Sequence, residues 1–200
     1  MSSKSINAIV ILTGAGISAE SGLGTFRDKD GIWTKVNLED VATPEGFARD
    51  PVMVHEFYNS RRQNLQNAEP NAAHKALARL EAEFDGDVTI VTQNVDDLHE
   101  KGGSKNIIHM HGELLKIRCG NCGSVREWLQ DLSQDIPCPA CNTHGFLRPH
   151  VVWFGEMPLL LCDIEPALSN CDLFLSIGTS GNVYPAASYV SQVRQLGRAR

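Results

Sequence analysis

The sequence has no long hydrophobic run and no excess of positive charge. Its first apolar stretch, residues 8–12, is five residues long. That is too short for the core of a signal peptide or for a membrane span, and no later stretch does better. The formal net charge of −6 argues against a general binder of nucleic acids or membrane surfaces, because both need a basic face. We therefore expect a cytoplasmic protein that binds neither nucleic acid nor membrane directly.

Disulfide bonds are not expected either, because nothing in the sequence indicates secretion. Four of the six cysteines form two Cys-x-x-Cys pairs, Cys119 with Cys122 and Cys138 with Cys141. Two such pairs at this spacing predict a tetrahedral four-thiolate zinc site, and full ligation by sulfur leaves no open position for a catalytic water. We expect one structural Zn²⁺ in a module at residues 112–149. Cys162 and Cys171 are predicted to be inert thiols in the core.

The chain opens with the pattern of a buried strand that ends in a glycine turn. Residues 9–12 are apolar, and Gly14, Ala15 and Gly16 follow closely. Glycines let the backbone approach an anion, and the first amides of a following helix, which Ser18 is placed to cap, point at it without a partner. The spacing also fits the relaxed dinucleotide-binding fingerprint. The alternative is a simple turn between two packed elements.

Periodic segments after this turn predict alternating helices and strands. Pro44 and Pro51 mark helix starts. The predicted elements are helices at 51–68, 71–84, 164–170 and 185–196, and strands at 6–12, 88–92, 107–109 and 172–177. Such alternation indicates a parallel sheet whose ligands bind at the carboxyl ends of the strands. Because four strands are few for a doubly wound domain, we expect that C-terminal strands are missing.

Polar or glycine-rich residues follow three of these strands, where a cofactor would bind. They are Gly14, Ala15 and Gly16, then Gln93, Asn94 and Asp96, and finally Gly178, Thr179 and Ser180. His111 follows the short strand near residue 108, at the junction with the cysteine module. A lone histidine is more often structural, but this position makes His111 a candidate catalytic residue.

A glycine-rich segment of mixed charge, residues 23–33, is interpreted as a loop that could close over a ligand. It contains Phe26 and Arg27. Arg27 could face a phosphate, or it could form a surface salt bridge with Asp28 or Asp30.

Taken together, these motifs resemble those of the sirtuins, the NAD-dependent protein lysine deacylases. The similar segments are Gly-Ala-Gly-Ile-Ser from Gly14, Thr25-Phe26-Arg27, Thr92 to Asp96, His109 to Gly112, the two cysteine pairs, Phe154-Gly155-Glu156 and Gly178-Thr179-Ser180. They occur in the family's order over nearly the whole chain. The resemblance implies an α/β fold, with a Rossmann-type parallel sheet and a smaller lobe that is helical in one part and a zinc ribbon in the other.

The resemblance also implies a division of the chain. Residues 1–35, 70–111 and 150–200 would form the discontinuous NAD-binding domain. Residues 36–69 would form the helical part of the small lobe, and residues 112–149 the zinc-ribbon module.

By position, the resemblance implies roles for residues in the cleft between the lobes. His111 would be the general base, and Asn94 would also be catalytic. NAD, consumed as a co-substrate, would be bound by Gly14, Ala15, Gly16, Phe26, Arg27, Gln93, Asn94, Asp96, Gly178, Thr179 and Ser180. An acylated-lysine peptide would pair as an added strand with Val152, Trp153, Phe154 and Gly155.

Two residues, Tyr58 and Arg61, indicate which kind of acyl group would be recognised. Tyr58 and Arg61 are three apart on a predicted helix and so share a face. The chain most resembles the desuccinylase and demalonylase branch of sirtuins, in which a Tyr-x-x-Arg pair recognises an acyl carboxylate. An arginine can form a forked pair with a carboxylate, and a tyrosine adds a donor. Ala42 would leave room for the longer chain. The alternative is that Arg61 and Arg62 form a solvated face.

The function implied by the resemblance is NAD-dependent removal of acyl groups from protein lysines. Succinyl, malonyl and glutaryl groups would be preferred over acetyl, and the products would be nicotinamide and O-acyl-ADP-ribose. Two alternatives remain open from the sequence. One is a protein ADP-ribosyltransferase, and the other is a non-catalytic NAD-binding module.

Overall fold

The apolar run that follows residue 7 forms the central strand of a parallel sheet. The computed structural model describes residues 5–24 and 37–197 of the chain. The strands of this sheet are β1 (Ala8–Thr13), β2 (Asp87–Thr92), β3 (Ile107–His109) and β7 (Leu173–Ile177). Their spatial order is β3-β2-β1-β7, and all neighbours pair in parallel. The four strands and the parallel sheet predicted from the sequence are confirmed.

Seven α-helices occur in the described part of the chain. They are α1 (Leu38–Val41), α2 (Pro44–Arg49), α3 (Pro51–Gln66), α4 (Ala72–Glu83), α5 (Leu98–Gly102), α6 (Leu161–Asn170) and α7 (Ala186–Gln195). Pro44 and Pro51 begin α2 and α3, as predicted, because proline supplies a helical φ and lacks only an amide hydrogen that would be unpaired there. None of the helices described is both long and apolar enough to cross a membrane.

Helices cover both faces of the main sheet because β1 presents apolar side chains on both. Val10 and Leu12 belong to a core cluster with residues of α6 and α7. Ile9 and Ile11 point the other way and pack in a second cluster with Leu77 of α4. A parallel sheet buried on both faces is the arrangement expected of a Rossmann-type α/β fold.

Two local predictions are wrong. The segment after the glycine turn is a 3₁₀ helix (Ala15–Ser21) with Gly14 as its N-cap, so Ser18 lies inside this helix instead of capping it. The Ser18 side chain is buried, and its hydroxyl is used in the site described below. Of the two cysteines predicted in the core, Cys171 is buried, but Cys162 is exposed on α6.

The smaller lobe contains a second sheet, which is antiparallel. Its strands are β4 (Gly112–Cys119), β5 (Val125–Glu127) and β6 (Leu147–Val151), in the order β5-β4-β6. Strand β6 pairs with β4 and runs across the boundary predicted between residues 149 and 150. The last residues of β6 thus bring the chain from the ribbon back to the cleft.

Helix α3 is tied to the ribbon by polar side chains on one of its faces. The side chain of Arg62 is buried, and its Nε donates to the carbonyl of Leu114 at 3.2 Å. The Asn59 amide donates to the carbonyl of Leu132 at 2.9 Å and accepts the Leu132 N–H at 2.8 Å. Arg61 is half-buried. The alternative of a solvated face formed by Arg61 and Arg62 is therefore wrong.

The four predicted zinc ligands converge at the far end of the ribbon. The Sγ atoms of Cys119 and Cys141 are 3.8 Å apart, those of Cys122 and Cys138 are 3.7 Å apart, and all four lie within 4.8 Å of one another. A tetrahedral ion with Zn–S bonds of about 2.3 Å would separate its sulfurs by about 3.8 Å. The cluster therefore fits a structural zinc, which would join the end of β4 to the segment between β5 and β6.

We expect one zinc ion per chain and a marked loss of both zinc and stability in Cys138→Ala. A structural zinc contributes about 10–16 kcal/mol to the folding of small zinc modules, and removal of one thiolate opens the site. Elemental analysis and thermal unfolding would measure the two effects. Cys162→Ala is the matched control, because Cys162 is exposed and outside the cluster. Full zinc content in Cys138→Ala, or none in the unaltered protein, would contradict the assignment.

Candidate active site

The carboxyl ends of three neighbouring strands meet at one edge of the main sheet, as the sequence predicted. The backbone amide of Gln93, just after β2, donates to the carbonyl of Thr13 at the end of β1 at 3.0 Å. The Gln93 side chain donates to the hydroxyl of Thr179, just after β7, at 2.9 Å. The Gly16 amide donates to the carbonyl of Gly178 at 2.8 Å. These bonds join the three predicted groups into one continuous surface.

The glycines of this surface allow two turns to touch. A Cβ on Gly16 would lie 2.8 Å from the carbonyl oxygen of Gly178, and one on Gly14 would lie 2.9 Å from the Cβ of Thr179. Gly178 itself has φ of +63°, a conformation that favours glycine. The sequence argument assigned Gly14 and Gly16 to contact with an anion. In the structure, the close contact between the two turns is sufficient to explain why glycine occupies both positions.

A buried polar network lies beside this surface. The Ser18 hydroxyl donates to Oδ2 of Asp96 and accepts from Nδ2 of Asn94, each at 3.0 Å. Asn94 and Asp96 are 6% and 8% exposed. Burial raises the pKa of Asp96, although hydrogen bonds from the Leu98 amide and from Ser18 favour its charged form. The network fixes the orientation of two side chains that the resemblance to sirtuins assigns to NAD binding.

Two buried histidines beneath the network were not identified from the sequence. Thr13 donates its hydroxyl hydrogen to Oγ1 of Thr92 at 2.9 Å, so it can only accept from Nε2 of His99 at 3.0 Å. Burial lowers the pKa of His99 to about 4, and the ring is therefore neutral. Nε2 of His74 lies 3.5 Å from the Ser18 hydroxyl. Both histidines lie in helices that contain other polar residues, so the local sequence does not show that these two side chains are buried.

His111 has the geometry of a general base. Its Nδ1 lies 3.1 Å from the carbonyl oxygen of Gln93 and must donate to it, because a carbonyl can only accept. Burial lowers the pKa of His111, and the bond to Gln93 only partly opposes this effect. The neutral ring therefore carries its hydrogen on Nδ1 and leaves the lone pair of Nε2 available to accept a proton.

His109, two residues earlier, favours the protonated ring, in contrast to His111. Its Nε2 lies 2.6 Å from Oε1 of Glu100. Burial lowers the pKa of His109, but the hydrogen bond and the charge of Glu100 raise it more, so the net shift is upward. His109 therefore favours the charged form, paired with a carboxylate. The structure thus distinguishes the two histidines that the sequence places side by side.

The residues predicted to recognise the acyl group lie in one apolar cluster. Ala42, Phe57 and Tyr58 are buried together in the core of the small lobe. The Arg61 guanidinium carbon lies 5.7 Å from the centre of the Phe57 ring and 5.8 Å from that of Tyr58, within the range of cation–π contacts. Burial lowers the pKa of Arg61, while Tyr58 and Asp96 favour its charged form. An arginine stays charged in such surroundings, so it places a cation beside this apolar cluster.

The segment predicted to bind the peptide backbone connects the base to this pocket. The Val152 amide donates to the carbonyl of His111, and the Phe154 amide donates to the carbonyl of Ala42, each at 2.9 Å. Phe154 and Gly155 are exposed. A peptide added as a strand here would have to use groups other than these two amides.

The remaining predicted cofactor residues have mixed positions. Ala15 begins the 3₁₀ helix and is half-buried, whereas Ser180 is exposed beyond β7. Phe26 and Arg27 lie outside the described residues.

Comparison with known proteins identifies the family of the chain. The model of the Sir2 family matches residues 14–185. An NAD-dependent protein deacylase of Vibrio vulnificus is 62% identical over 191 residues, which are 94% of this chain and 78% of that protein. A solved Sir2 homolog–NAD complex superimposes with a TM-score of 0.88 at 43% identity, over 97% of this chain and 76% of that one.

A more distant solved structure contains Sir2 with a deacetylated p53 peptide and 3′-O-acetyl ADP ribose. It superimposes with a TM-score of 0.81 at 31% identity, covering 96% of this chain and 80% of that one. The family model spans most of the chain, and the similar structures share the arrangement of parallel sheet and smaller lobe. The chain belongs to the Sir2 family.

Proposed function

We propose that the protein is an NAD-dependent protein deacylase that frees acylated lysine side chains. The observation that carries the proposal is a neutral histidine, His111, held beside the buried network of Asn94 and Asp96. The names of the similar proteins, and the acetyl ADP ribose in a similar structure, support the same activity. The proposed zinc cluster requires reduced cysteines, which favours a reducing compartment such as the cytoplasm.

The residues of the site suggest which step of the reaction each of them serves. Cleavage of the nicotinamide–ribose bond of NAD develops positive charge on the sugar, and the acyl oxygen of the substrate captures that carbon. His111 accepts the proton of a ribose hydroxyl at Nε2, so that this hydroxyl attacks the acyl carbon. The bond between the acyl carbon and the lysine nitrogen then breaks, the amine leaves with a proton, and one water supplies the oxygen of the acyl ester. The carbonyl of Gln93 holds the opposite ring nitrogen and stabilises the charged ring that results. Asn94 and Asp96, fixed by Ser18, line the pocket where the sugar reacts.

We further propose that acidic acyl groups are preferred. Arg61 places a cation in an otherwise apolar pocket, and Tyr58 lies on the same face of α3. A carboxylate at the end of a succinyl, malonyl or glutaryl chain could accept charged hydrogen bonds from the Arg61 guanidinium, whereas the methyl of an acetyl group could not. Ala42, buried in the same cluster, has a small side chain that would leave room for a longer acyl chain.

The proposed activity is tested by incubating NAD with matched peptides that carry acetyl-, succinyl- or malonyl-lysine. Mass spectrometry should detect free lysine, nicotinamide and O-acyl-ADP-ribose in equal amounts. His111→Gln removes the base, and we expect its rate to fall about 10²- to 10⁴-fold with binding of NAD retained. ADP-ribose attached to peptide that keeps its acyl group would support a transferase instead. Binding of NAD without nicotinamide release would support a non-catalytic module.

The pH dependence should identify which histidine is the base. Burial lowers the pKa of His111 from 6.5, so the ring remains an unprotonated base until the pH falls below that value. We expect kcat/KM to decline on the acid side with a midpoint below 6.5, as measured by initial rates on a folded sample. Had His109 been the base, its raised pKa would place the midpoint above 6.5. A midpoint above 6.5 would therefore count against His111.

Replacing Arg61 should change acyl preference. In Arg61→Met, we expect the ratio of kcat/KM for succinyl- over acetyl-lysine peptide to fall about 10- to 100-fold, because a charged hydrogen bond is lost. Arg79→Met is the matched control, since Arg79 is exposed on α4. Equal proportional loss of both activities in Arg61→Met would contradict the role of Arg61 in binding the carboxylate.

A further inference from the structure

We propose that Trp153 is a positioning residue for acyl recognition. Its indole N–H holds the Tyr58 oxygen, so that the hydroxyl hydrogen of Tyr58 is directed toward the acyl carboxylate. This inference rests on the proposed deacylase function and on its preference for acidic acyl groups. It adds a residue whose side chain acts through Tyr58.

The direction of one hydrogen bond carries the argument. Nε1 of Trp153 lies 2.9 Å from the Tyr58 hydroxyl oxygen, and both residues are 3% exposed. An indole N–H can only donate, so the Tyr58 oxygen must accept. A phenol has one hydrogen, and with the indole occupying its oxygen on this side, that hydrogen has to point elsewhere. Burial raises the pKa of Tyr58, which keeps the hydrogen in place at neutral pH.

The indole ring is itself held on several sides. The Arg148 guanidinium carbon lies 3.3 Å above the centre of the Trp153 ring, and Arg148 forms a forked ion pair with Glu156 at 2.6 and 2.9 Å. Glu156 also accepts the backbone N–H of Trp153 at 2.8 Å. The Phe47 ring lies 5.3 Å from the indole, centre to centre. The N–H that meets Tyr58 therefore has a fixed direction.

The carboxylate of an acidic acyl group needs a hydrogen-bond donor such as the Tyr58 hydroxyl, whereas the methyl of an acetyl group does not. Arg61, on the next turn of α3, supplies the charge, and Tyr58 supplies an additional hydrogen. Without the indole N–H, the phenol could turn its hydrogen toward the indole side, and it would have to reorient before it could bind an acidic acyl group. The effect should therefore appear as a change in preference between acyl groups, carried mainly by KM.

The change to make is Trp153→Phe, which keeps an aromatic ring under Arg148 and removes the N–H. We expect the ratio of kcat/KM for succinyl- over acetyl-lysine peptide to fall about fivefold or more, with the larger change in KM for the succinyl peptide. Trp128→Phe makes the same chemical change in the ribbon, where the indole N–H meets the carbonyl of Asp131, and it should leave the ratio unchanged. An unchanged ratio in folded Trp153→Phe would overturn the inference.

A double-mutant cycle separates positioning from general packing. If Trp153 acts through the hydroxyl of Tyr58, then Trp153→Phe should lower the ratio in the unaltered protein but not in Tyr58→Phe, which has no hydroxyl to orient. A fall of the same size in both backgrounds would assign Trp153 a packing role and overturn the inference. Absence of any deacylation by the unaltered protein would instead refute the proposed function.

A measurement on the unaltered protein decides the question if Trp153→Phe does not fold. The sequence contains three tryptophans, so indole ¹⁵N resonances can be assigned to Trp153 by replacing the other two. A carboxylate that accepts from Tyr58 strengthens its oxygen as an acceptor, because hydrogen bonds in a chain polarise one another. We expect succinyl-lysine peptide with ADP-ribose to shift the Trp153 N–H resonance downfield more than acetyl-lysine peptide does. Equal shifts would contradict the inference.

Discussion

Burial of β1 on both faces is the constraint on which the site depends. Val10 and Leu12 have to be buried by other apolar side chains on one face of the sheet, and Ile9 and Ile11 have to be buried on the other face. Helices on both faces are compatible with parallel strands, and parallel strands end at the same edge. The three turns that end β1, β2 and β7 must therefore meet. The surface that we propose as the active site is thus a consequence of burying the apolar side chains of β1.

Much of this could be predicted from the sequence, because the signals are local. Apolar runs mark the strands, prolines mark two helix starts, and two pairs of cysteines mark the zinc cluster. What could not be predicted depends on contacts between distant segments. Ser18 fits an N-cap by local pattern, yet its hydroxyl binds Asn94 and Asp96, 76 and 78 residues away. The bond between Trp153 and Tyr58 spans 95 residues, and neither residue alone indicates it.

The zinc ribbon is distant from the proposed chemistry but not independent of it. A fully ligated metal cannot activate water or substrate, so its effect has to be mechanical. Arg62 and Asn59 attach the ribbon to α3, and the same helix carries Tyr58 and Arg61. Strand β6 leads from the ribbon into the segment that contains Trp153. The segments on both sides of the proposed acyl site are thus attached to the module that the zinc would stabilise.

Position along the chain does not decide which histidine acts as the base. His109 and His111 are separated by one residue, and each has its Nδ1 near a backbone carbonyl, of Asn94 and Gln93 respectively. The difference lies at Nε2. That of His109 meets the carboxylate of Glu100, which favours a charged ring, whereas no described residue bonds to that of His111. A base needs an available lone pair and a neutral resting state, and both are favoured for His111 by burial with no charged partner among the described residues. The carboxylate that stabilises charged His109 is therefore the feature that favours His111 over His109 as the proposed base.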